Sequence, residues 1–236
     1  MLIVRNTKKR KVSFMKKWIL ATAMAVLGLT AAEAQEKYEY NEFYYQRTTL
    51  FQQLPIHSTD IVFLGDSQTN GCEWSELLGN PNVKNRGISS DVIQGFSDRL
   101  EPILKGKPAK IFVLGGVNDV SHNLSADSIA TAMKNLLVKI KKGSPNTKIY
   151  LQSLLPIDNS FKRYKAMIGK EQTILDVNVR LKAVADELGV TWIDLFSLMV
   201  DPKTGAMKKG LTNDGLHLLG DGYLVWKSEV EPYVNE

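Results

Sequence analysis

The chain has 236 residues, of which 44% are hydrophobic and 23% charged, which suits one globular domain with a full core and excludes a mostly disordered chain. Its formal net charge of +5 originates at the N-terminus, because residues 1–34 contain seven of the 30 lysines and arginines but only one of the 25 acidic residues. The remaining 23 basic and 24 acidic groups give a net charge of −1, which leaves no basic surplus for binding nucleic acid.

The first predicted element is a secretory signal peptide over residues 1–34. Residues 8–17, KKRKVSFMKK, form a basic segment, and residues 18–29, WILATAMAVLGL, form an apolar segment too short to span a bilayer comfortably. Ala32 and Ala34 then make an A-x-A cleavage pattern before Gln35. We expect cleavage there and a secreted or periplasmic protein without a stable membrane anchor; an uncleaved anchor is the alternative.

Residues 35–236 are predicted to form a single domain that opens with a helical extension at residues 35–58. Aromatic and apolar residues dominate one side of residues 38–54, YEYNEFYYQRTTLFQQL, and Pro55 ends the predicted helix. The pattern favours packing of these aromatic side chains against the domain. Stacking on carbohydrate is the alternative interpretation.

Five short apolar runs follow, separated by segments with helical periodicity. The runs are residues 61–64, 83–88, 110–116, 148–156 and 191–196. One intervening helix is expected to begin after Ser125 and to end before Gly143, another is closed by Gly189, and a last helix covers residues 219–230. This alternation predicts an α/β fold, a three-layer α/β/α sandwich around a mainly parallel five-stranded sheet with right-handed crossovers.

Polar residues and glycines follow the ends of the predicted strands. Ser67 comes directly after the first strand, Gly87 lies at the end of the second and Asn118 follows the third, while residues 153–156 form a turn at the fourth. Ligands of open α/β sheets bind beyond the carboxyl ends of the strands. We therefore expect these distant parts of the chain to meet at one edge of the sheet.

A serine hydroxyl becomes a nucleophile only when a neighbouring base takes its proton. The candidate bases are His57, which precedes the first strand, His122, which lacks an obviously placed carboxylate, and His217. Asp214 lies three residues before His217, a spacing that can bring its carboxylate beside Nδ1 and leave Nε2 facing Ser67. This pattern favours His217 as the base, with His122 kept as a candidate substrate contact.

Acyl transfer also requires donors to the oxyanion of a tetrahedral intermediate. The candidates are the backbone N–H of Ser67, the N–H of Gly87 and the side-chain amide of Asn118. Asp66 and Asp119 are interpreted as structural residues that hold their loops.

Cys72 is the only cysteine, so the chain can form neither an internal disulfide nor a cysteine zinc site. A buried thiol is the favoured interpretation, and a thiol nucleophile is the alternative. No metal or other cofactor is predicted.

Four short motifs, taken in order, resemble those of the SGNH hydrolases, also called the GDSL family of esterases and lipases. They are GDSQT at residues 65–69, NRGIS at 85–89, GGVND at 115–119 and DGLH at 214–217. The resemblance spans residues 61–230 and implies a flavodoxin-like α/β/α sandwich that cleaves acyl esters without a metal. It implies that Ser67 is the nucleophile, Asp214 and His217 the acid and base, and Gly87 and Asn118 the oxyanion donors.

The expected function is that of a secreted serine esterase acting on short-chain acyl esters, acetyl esters above all, since the resemblance leans towards the subgroup of small-acyl esterases similar to platelet-activating-factor acetylhydrolases. Acetylated saccharides are expected substrates, and residues 158–173 are expected to border the pocket. The alternatives are a lipase or lysophospholipase for longer acyl chains and a non-catalytic glycan-binding module. The oligomeric state is not predicted.

Overall fold

Five parallel strands form the centre of the domain in this computed structural model, which describes residues 38–236. The strands are β1 Ile61–Gly65, β2 Val83–Gly87, β3 Lys110–Leu114, β4 Lys148–Gln152 and β5 Thr191–Ile193. Their order in the sheet is β2-β1-β3-β4-β5, and every neighbouring pair is parallel. The predicted five-stranded sheet is thus confirmed.

Ten α-helices connect and cover these strands within residues 38–236. They are α1 Glu42–Gln53, α2 Ser67–Asn70, α3 Trp74–Leu77, α4 Ile93–Asp98, α5 Glu101–Gly106, α6 Val117–Ser121, α7 Ala126–Gly143, α8 Glu171–Leu188, α9 Leu195–Met199 and α10 Gly220–Asn235. Two 3₁₀ turns, Asn159–Phe161 and Lys165–Met167, lie between β4 and α8. In this part of the chain no helix is long and apolar enough to cross a membrane.

The sheet separates two hydrophobic cores, as a three-layer sandwich requires. Side chains of a strand point alternately to its two faces, so Val62 and Leu64 of β1 enter one core and Ile61 and Phe63 the other. Helices α7 and α8 cover the first core, and α10 covers the second with the fully buried Trp226. The predicted α/β/α architecture is confirmed.

An aromatic row crosses the second face of the sheet. Phe63, Phe112 and Tyr150 are register partners on β1, β3 and β4. The ring centroids of successive pairs are 4.7 and 4.4 Å apart in stacked geometry. Each aromatic pair of this kind contributes about 0.5–1.5 kcal/mol beyond the burial of its apolar area, so the row helps to stabilise the register in which the strand ends align.

The predicted helix boundaries need small corrections. Helix α1 begins at Glu42 rather than near residue 38, because the side chain of Asn41 caps it by accepting the N–H of Tyr44. Ser125 caps α7 as predicted, but Gly143 is the last residue of that helix rather than the residue after it. Gly189 closes α8 in a left-handed conformation, as its position predicts.

Helix α1 packs on the domain through its aromatic residues. Tyr44 and Phe51 are buried, and the Tyr44 hydroxyl donates to the carbonyl of Gly95. The guanidinium groups of Arg47 and Arg86 lie 4.6 and 4.7 Å from the centroid of the Phe51 ring. The packing interpretation of this segment therefore holds for these residues. The predicted signal peptide lies outside the described residues and stays a prediction.

Candidate active site

Ser67 is the first residue of α2, immediately beyond the carboxyl end of β1. Asp66 caps this short helix by accepting the N–H of Gln68 at 3.0 Å. The turn from a buried strand into a helix presents the Ser67 hydroxyl at the sheet edge where the sequence predicts it.

The loop before α10 brings His217 and Asp214 to Ser67. His217 Nε2 lies 2.8 Å from Ser67 Oγ, and His217 Nδ1 lies 2.8 Å from Asp214 Oδ2. We call these three residues the candidate triad. Nδ1 faces a carboxylate, which accepts but cannot donate, so Nδ1 carries the ring proton and the unprotonated Nε2 can accept from Ser67.

Local hydrogen bonds give the 214–217 loop its shape. Asp214 Oδ1 accepts the backbone N–H groups of Leu216 and His217 at 2.9 and 2.8 Å. Gly215 has φ +88°, in the region that favours glycine, and a Cβ there would lie 2.1 Å from the carbonyl oxygen of Asp158. Gln68 Nε2 donates to the carbonyl of Leu216 at 2.9 Å, which fastens the loop to the helix that carries Ser67.

Asp214 is ionised throughout the pH range in which esterases work. Burial favours its neutral form, but hydrogen bonds from the His217 ring, from the N–H groups of His217 and Leu216 and from the Tyr164 hydroxyl outweigh burial. Together they hold the pKa of Asp214 well below its usual range. A permanent carboxylate is what a histidine base needs for orientation and for stabilising its protonated form.

The structure corrects the predicted role of Gly87. Its N–H donates to Asn85 Oδ1 at 2.7 Å, so this donor is already satisfied within the chain. Asn85 also donates to the carbonyl oxygens of Thr69 and Cys72, which fixes its side chain at the end of α2. A Cβ on Gly87 would lie 2.3 Å from the backbone nitrogen of Asn70, so a glycine is required here for close packing.

Asn118 lies in the first turn of α6, and its Nδ2 donates to the carbonyl of Asp91 at 2.8 Å. This bond places the amide beside the loop that follows β2 and leaves its second hydrogen for another acceptor. Ser90 in that loop has φ +64°, unusual for a residue other than glycine. Its N–H has no partner among residues 38–236, and sequence reasoning missed it.

Arg99 is a second residue that sequence reasoning missed. Its side chain is almost completely buried and pairs with Asp91, with Nε 2.7 Å from Asp91 Oδ2. The two remaining nitrogens donate to the carbonyl oxygens of Arg86 and Gly65 at 2.7 and 3.0 Å. Arg99 therefore ties the carboxyl ends of β1 and β2 to the loop that carries Ser90.

The other candidate residues fall outside the triad. His57 lies before β1, and its backbone N–H donates to Asp60 Oδ2. His122 is the C-cap of α6 and makes no described bond to Ser67, Asp214 or His217. Burial raises the pKa of the Cys72 thiol to about 12, so Cys72 is not suited to act as a nucleophile. No metal-binding cluster of His, Cys, Asp and Glu occurs in the described part of the chain.

A buried carboxyl group adjoins the nucleophile. Asp66 is completely buried, its Oδ2 has no partner among the described atoms, and burial raises its pKa to about 7 from an ordinary 3.8. Because the folded-state pKa is the higher one, Asp66 lowers the stability of the fold progressively as the pH rises from about 4 to about 7. Asp119, also buried, accepts the N–H of Ile93 and supports the α4 start, as its predicted structural role requires.

Replacing Asp66 with asparagine is expected to weaken this pH dependence while it keeps the oxygen that caps α2. Ionisation of Asp66 should lower the free energy of unfolding of the native chain by on the order of 2 kcal/mol between pH 5 and pH 8. This contribution should be absent from the Asp66→Asn chain. Urea unfolding at the two pH values measures the difference. Asp176→Asn, an exposed substitution on α8, is the control. An unchanged pH dependence in Asp66→Asn would contradict the assignment.

Comparison with known proteins agrees with this geometry. Residues 63–225 match the model of the GDSL-like lipase/acylhydrolase family. The chain belongs to this family. No curated protein matches the chain. The predicted resemblance to SGNH or GDSL hydrolases is therefore confirmed.

Solved structures show the same fold. One from Streptococcus pneumonia, provisionally assigned as a platelet activating factor, has a TM-score of 0.75 at 23% identity, covering 96% of this chain and 99% of its own. A provisionally assigned acylhydrolase from Bacteroides fragilis has a TM-score of 0.73 at 24% identity over 84% and 98% of the two chains. A mutant acetyl-xylooligosaccharide esterase from Geobacillus Stearmophilus has a TM-score of 0.63 at 16% identity, covering 76% of this chain and 95% of its own. At these sequence identities, the structural similarity establishes only that the chain shares the fold of these proteins.

Proposed function

We propose that this acylhydrolase is a serine esterase that cleaves short-chain acyl esters, acetyl esters above all, through an acyl-enzyme. The observation that carries the proposal is the pair of 2.8 Å contacts that joins Ser67 Oγ through the His217 ring to Asp214. Each contact is within the range required for proton transfer.

In the first half of the reaction, His217 Nε2 takes the proton of Ser67 Oγ as that oxygen attacks the ester carbonyl. The carbonyl π bond breaks and its electron pair moves to the oxygen, which becomes an oxyanion. When the intermediate collapses, the C–O bond to the alcohol breaks, and His217 gives its proton to the departing oxygen. In the second half, His217 takes a proton from water as the water oxygen attacks the carbonyl of the acyl-enzyme. The C–O bond to Ser67 then breaks, His217 returns its proton to Ser67 Oγ, and the acid leaves.

The oxyanion donors in this proposal are the backbone N–H of Ser67, the second amide hydrogen of Asn118 and the N–H of Ser90. Ser90 replaces Gly87 for two reasons. Its N–H has no partner among residues 38–236, and Asn118 donates to the carbonyl of Asp91 in the loop of Ser90. Residues with an unusual backbone conformation are often found in functional loops.

Short acyl groups are favoured by the surroundings of the triad. The side chains of His217 and Asp214 are 35% and 23% exposed, so the triad opens to solvent at the sheet edge. A long acyl chain needs an apolar channel that leads from the nucleophile, whereas a short acyl group does not. Acetylated saccharides are the proposed substrates, a choice supported by the acetyl-xylooligosaccharide esterase of similar fold.

The proposed location is outside the cytoplasm. The basic and apolar segments and the A-x-A pattern of residues 1–34 support export, with cleavage between Ala34 and Gln35. N-terminal sequencing of the exported protein tests this location, and a protein that still contains residues 1–34 would contradict it.

The substrate class is tested by comparing p-nitrophenyl acetate with p-nitrophenyl palmitate, followed by a panel of acetylated xylo-oligosaccharides. We expect kcat/KM for the acetate to exceed that for the palmitate by about 100-fold or more. A preference for palmitate would identify a lipase. Saccharide binding without turnover of any ester would identify a non-catalytic glycan-binding module and overturn the proposal.

A further inference from the structure

Residues 158–173 place one tyrosine hydroxyl against the candidate triad. Tyr164 Oη lies 2.8 Å from Asp214 Oδ2 and 3.0 Å from His217 Nδ1. We propose that Tyr164 is a positioning residue that shares the Asp214 carboxylate with His217 and thereby sets the pH at which the base becomes active. The proposal rests on the proposed esterase function and adds a residue to it.

Two donors converge on one oxygen atom in this arrangement. Asp214 Oδ2 accepts both the His217 Nδ1–H and the Tyr164 hydroxyl, while Asp214 Oδ1 is occupied by backbone N–H groups. The rings of Tyr164 and His217 meet edge to face, with centroids 5.6 Å apart and planes at 71°. The tyrosine thus limits the tilt of the His217 imidazole and lowers the negative charge density on the Asp214 carboxylate.

The hydroxyl acts as a donor towards Asp214. Burial and the bond to Asp214 both raise the pKa of Tyr164, so the phenol keeps its proton at every pH at which esterases work. A hydroxyl that donates to a carboxylate draws negative charge from it and weakens its attraction for a protonated neighbour. Tyr164 therefore weakens the hold of the Asp214 carboxylate on a protonated His217 ring, and removing the hydroxyl should strengthen it.

The charged and titratable groups that face Tyr164 are few. Asp214 and His217 approach from the loop before α10, and Arg163 comes from the same segment as Tyr164. Ser67, on α2, meets the far side of the imidazole. Among the described residues, Asp214 is thus the carboxylate that a change at Tyr164 affects.

The segment around Tyr164 is itself fixed to the two loops of the site. The Asp158 N–H donates to the carbonyl of Gly215 at 2.8 Å, beside Asp214. Lys170 Nζ donates to Asn123 Oδ1 at 2.7 Å, in the turn that follows the helix of Asn118. Within the segment, the buried Met167 donates its N–H to the carbonyl of Tyr164 at 2.9 Å. These bonds give Tyr164 a defined position relative to Asp214.

The test is Tyr164→Phe, which keeps the ring and removes only the hydroxyl. We expect the acidic limb of the kcat/KM–pH profile for p-nitrophenyl acetate to move up by about half a pH unit. We also expect kcat to fall about fivefold with little change in KM. Tyr150→Phe is the matched control, because the Tyr150 hydroxyl also binds a carboxylate, that of Glu236, at the amino ends of β3 and β4. Tyr150→Phe should leave the kcat/KM–pH profile unchanged.

A second measurement separates this proposal from the esterase function. The chain contains three histidines, so an NMR titration resolves His217 as the signal that a His217→Asn variant loses. Tyr164→Phe should move the midpoint of that signal upwards, and should not do so in an Asp214→Asn background. An unmoved midpoint in a folded Tyr164→Phe chain overturns the proposal. A moved midpoint without any ester hydrolysis by the native chain supports the role of Tyr164 and counts against the esterase function alone.

Discussion

Replacing Ser67 with alanine is expected to lower kcat/KM for p-nitrophenyl acetate by about 10⁴-fold or more and to abolish covalent labelling by a fluorophosphonate. The reason is that Ser67 Oγ is the atom that faces His217 Nε2, at 2.8 Å, and the proposed acyl-enzyme cannot form without that oxygen. Removing one oxygen from this partly buried site leaves the core untouched, so the fold should persist. Hydrolysis rates, mass spectrometry of the labelled chain and circular dichroism measure the three effects.

Ser228→Ala is the matched control for Ser67→Ala. Ser228 lies on α10 with an exposed hydroxyl bonded to the carbonyl of Val225, far along the chain from the triad. It should retain activity and labelling. Hydrolysis or labelling that survives Ser67→Ala in a purified, folded chain would exclude Ser67 as the nucleophile.

Asp214→Asn is expected to lower kcat by about 10³- to 10⁴-fold. The asparagine keeps an oxygen for the N–H groups of Leu216 and His217 and so preserves the loop. Its amide nitrogen then faces His217 Nδ1, donates to the ring and favours the tautomer with the proton on Nε2, which cannot accept the proton of Ser67. The loss of the carboxylate also removes the charge that stabilises the imidazolium.

The matched control for this change is Asp221→Asn, an exposed carboxylate in the first turn of α10, four residues beyond His217. It applies the same substitution near the same loop without touching the triad, and activity should stay within about twofold of the native value. If Asp214→Asn kept native activity, His217 would not depend on Asp214, and another group would have to orient the base.

Secondary structure and layer order could be predicted because they depend on short-range patterns. The five apolar runs lie at strand positions, and the periodicity around Ile129 and Ile174 places two long helices over one core. Two of the errors of detail, the start of α1 and the end of α7, depended on single caps. The last helix also continues past residue 230, to Asn235. A cap is one hydrogen bond whose geometry the surrounding residues decide, and residue type alone does not specify it.

The pairing of Asp214 with His217 could also be predicted from the sequence, since the two residues are only three positions apart in one turn. The partner of the Gly87 N–H could not be predicted in this way. That N–H donates to the side chain of Asn85, and the position of Asn85 depends in turn on its bonds to the end of α2. The glycine itself is required for the approach of Asn70, so the residue type was informative and its predicted role was wrong.

The amino-acid sequence alone determined the fold class, the family and the three residues of the candidate triad. Only the tertiary structure decided that Arg99 joins the ends of two strands, that the loop at Ser90 lies beside Asn118, and that Tyr164 shares the Asp214 carboxylate. The physical reason is distance along the chain. Fifty residues separate Tyr164 from Asp214, and a hydrogen bond between such residues leaves no periodicity or spacing in the sequence, because it exists only once the packed sheet has brought the two segments together.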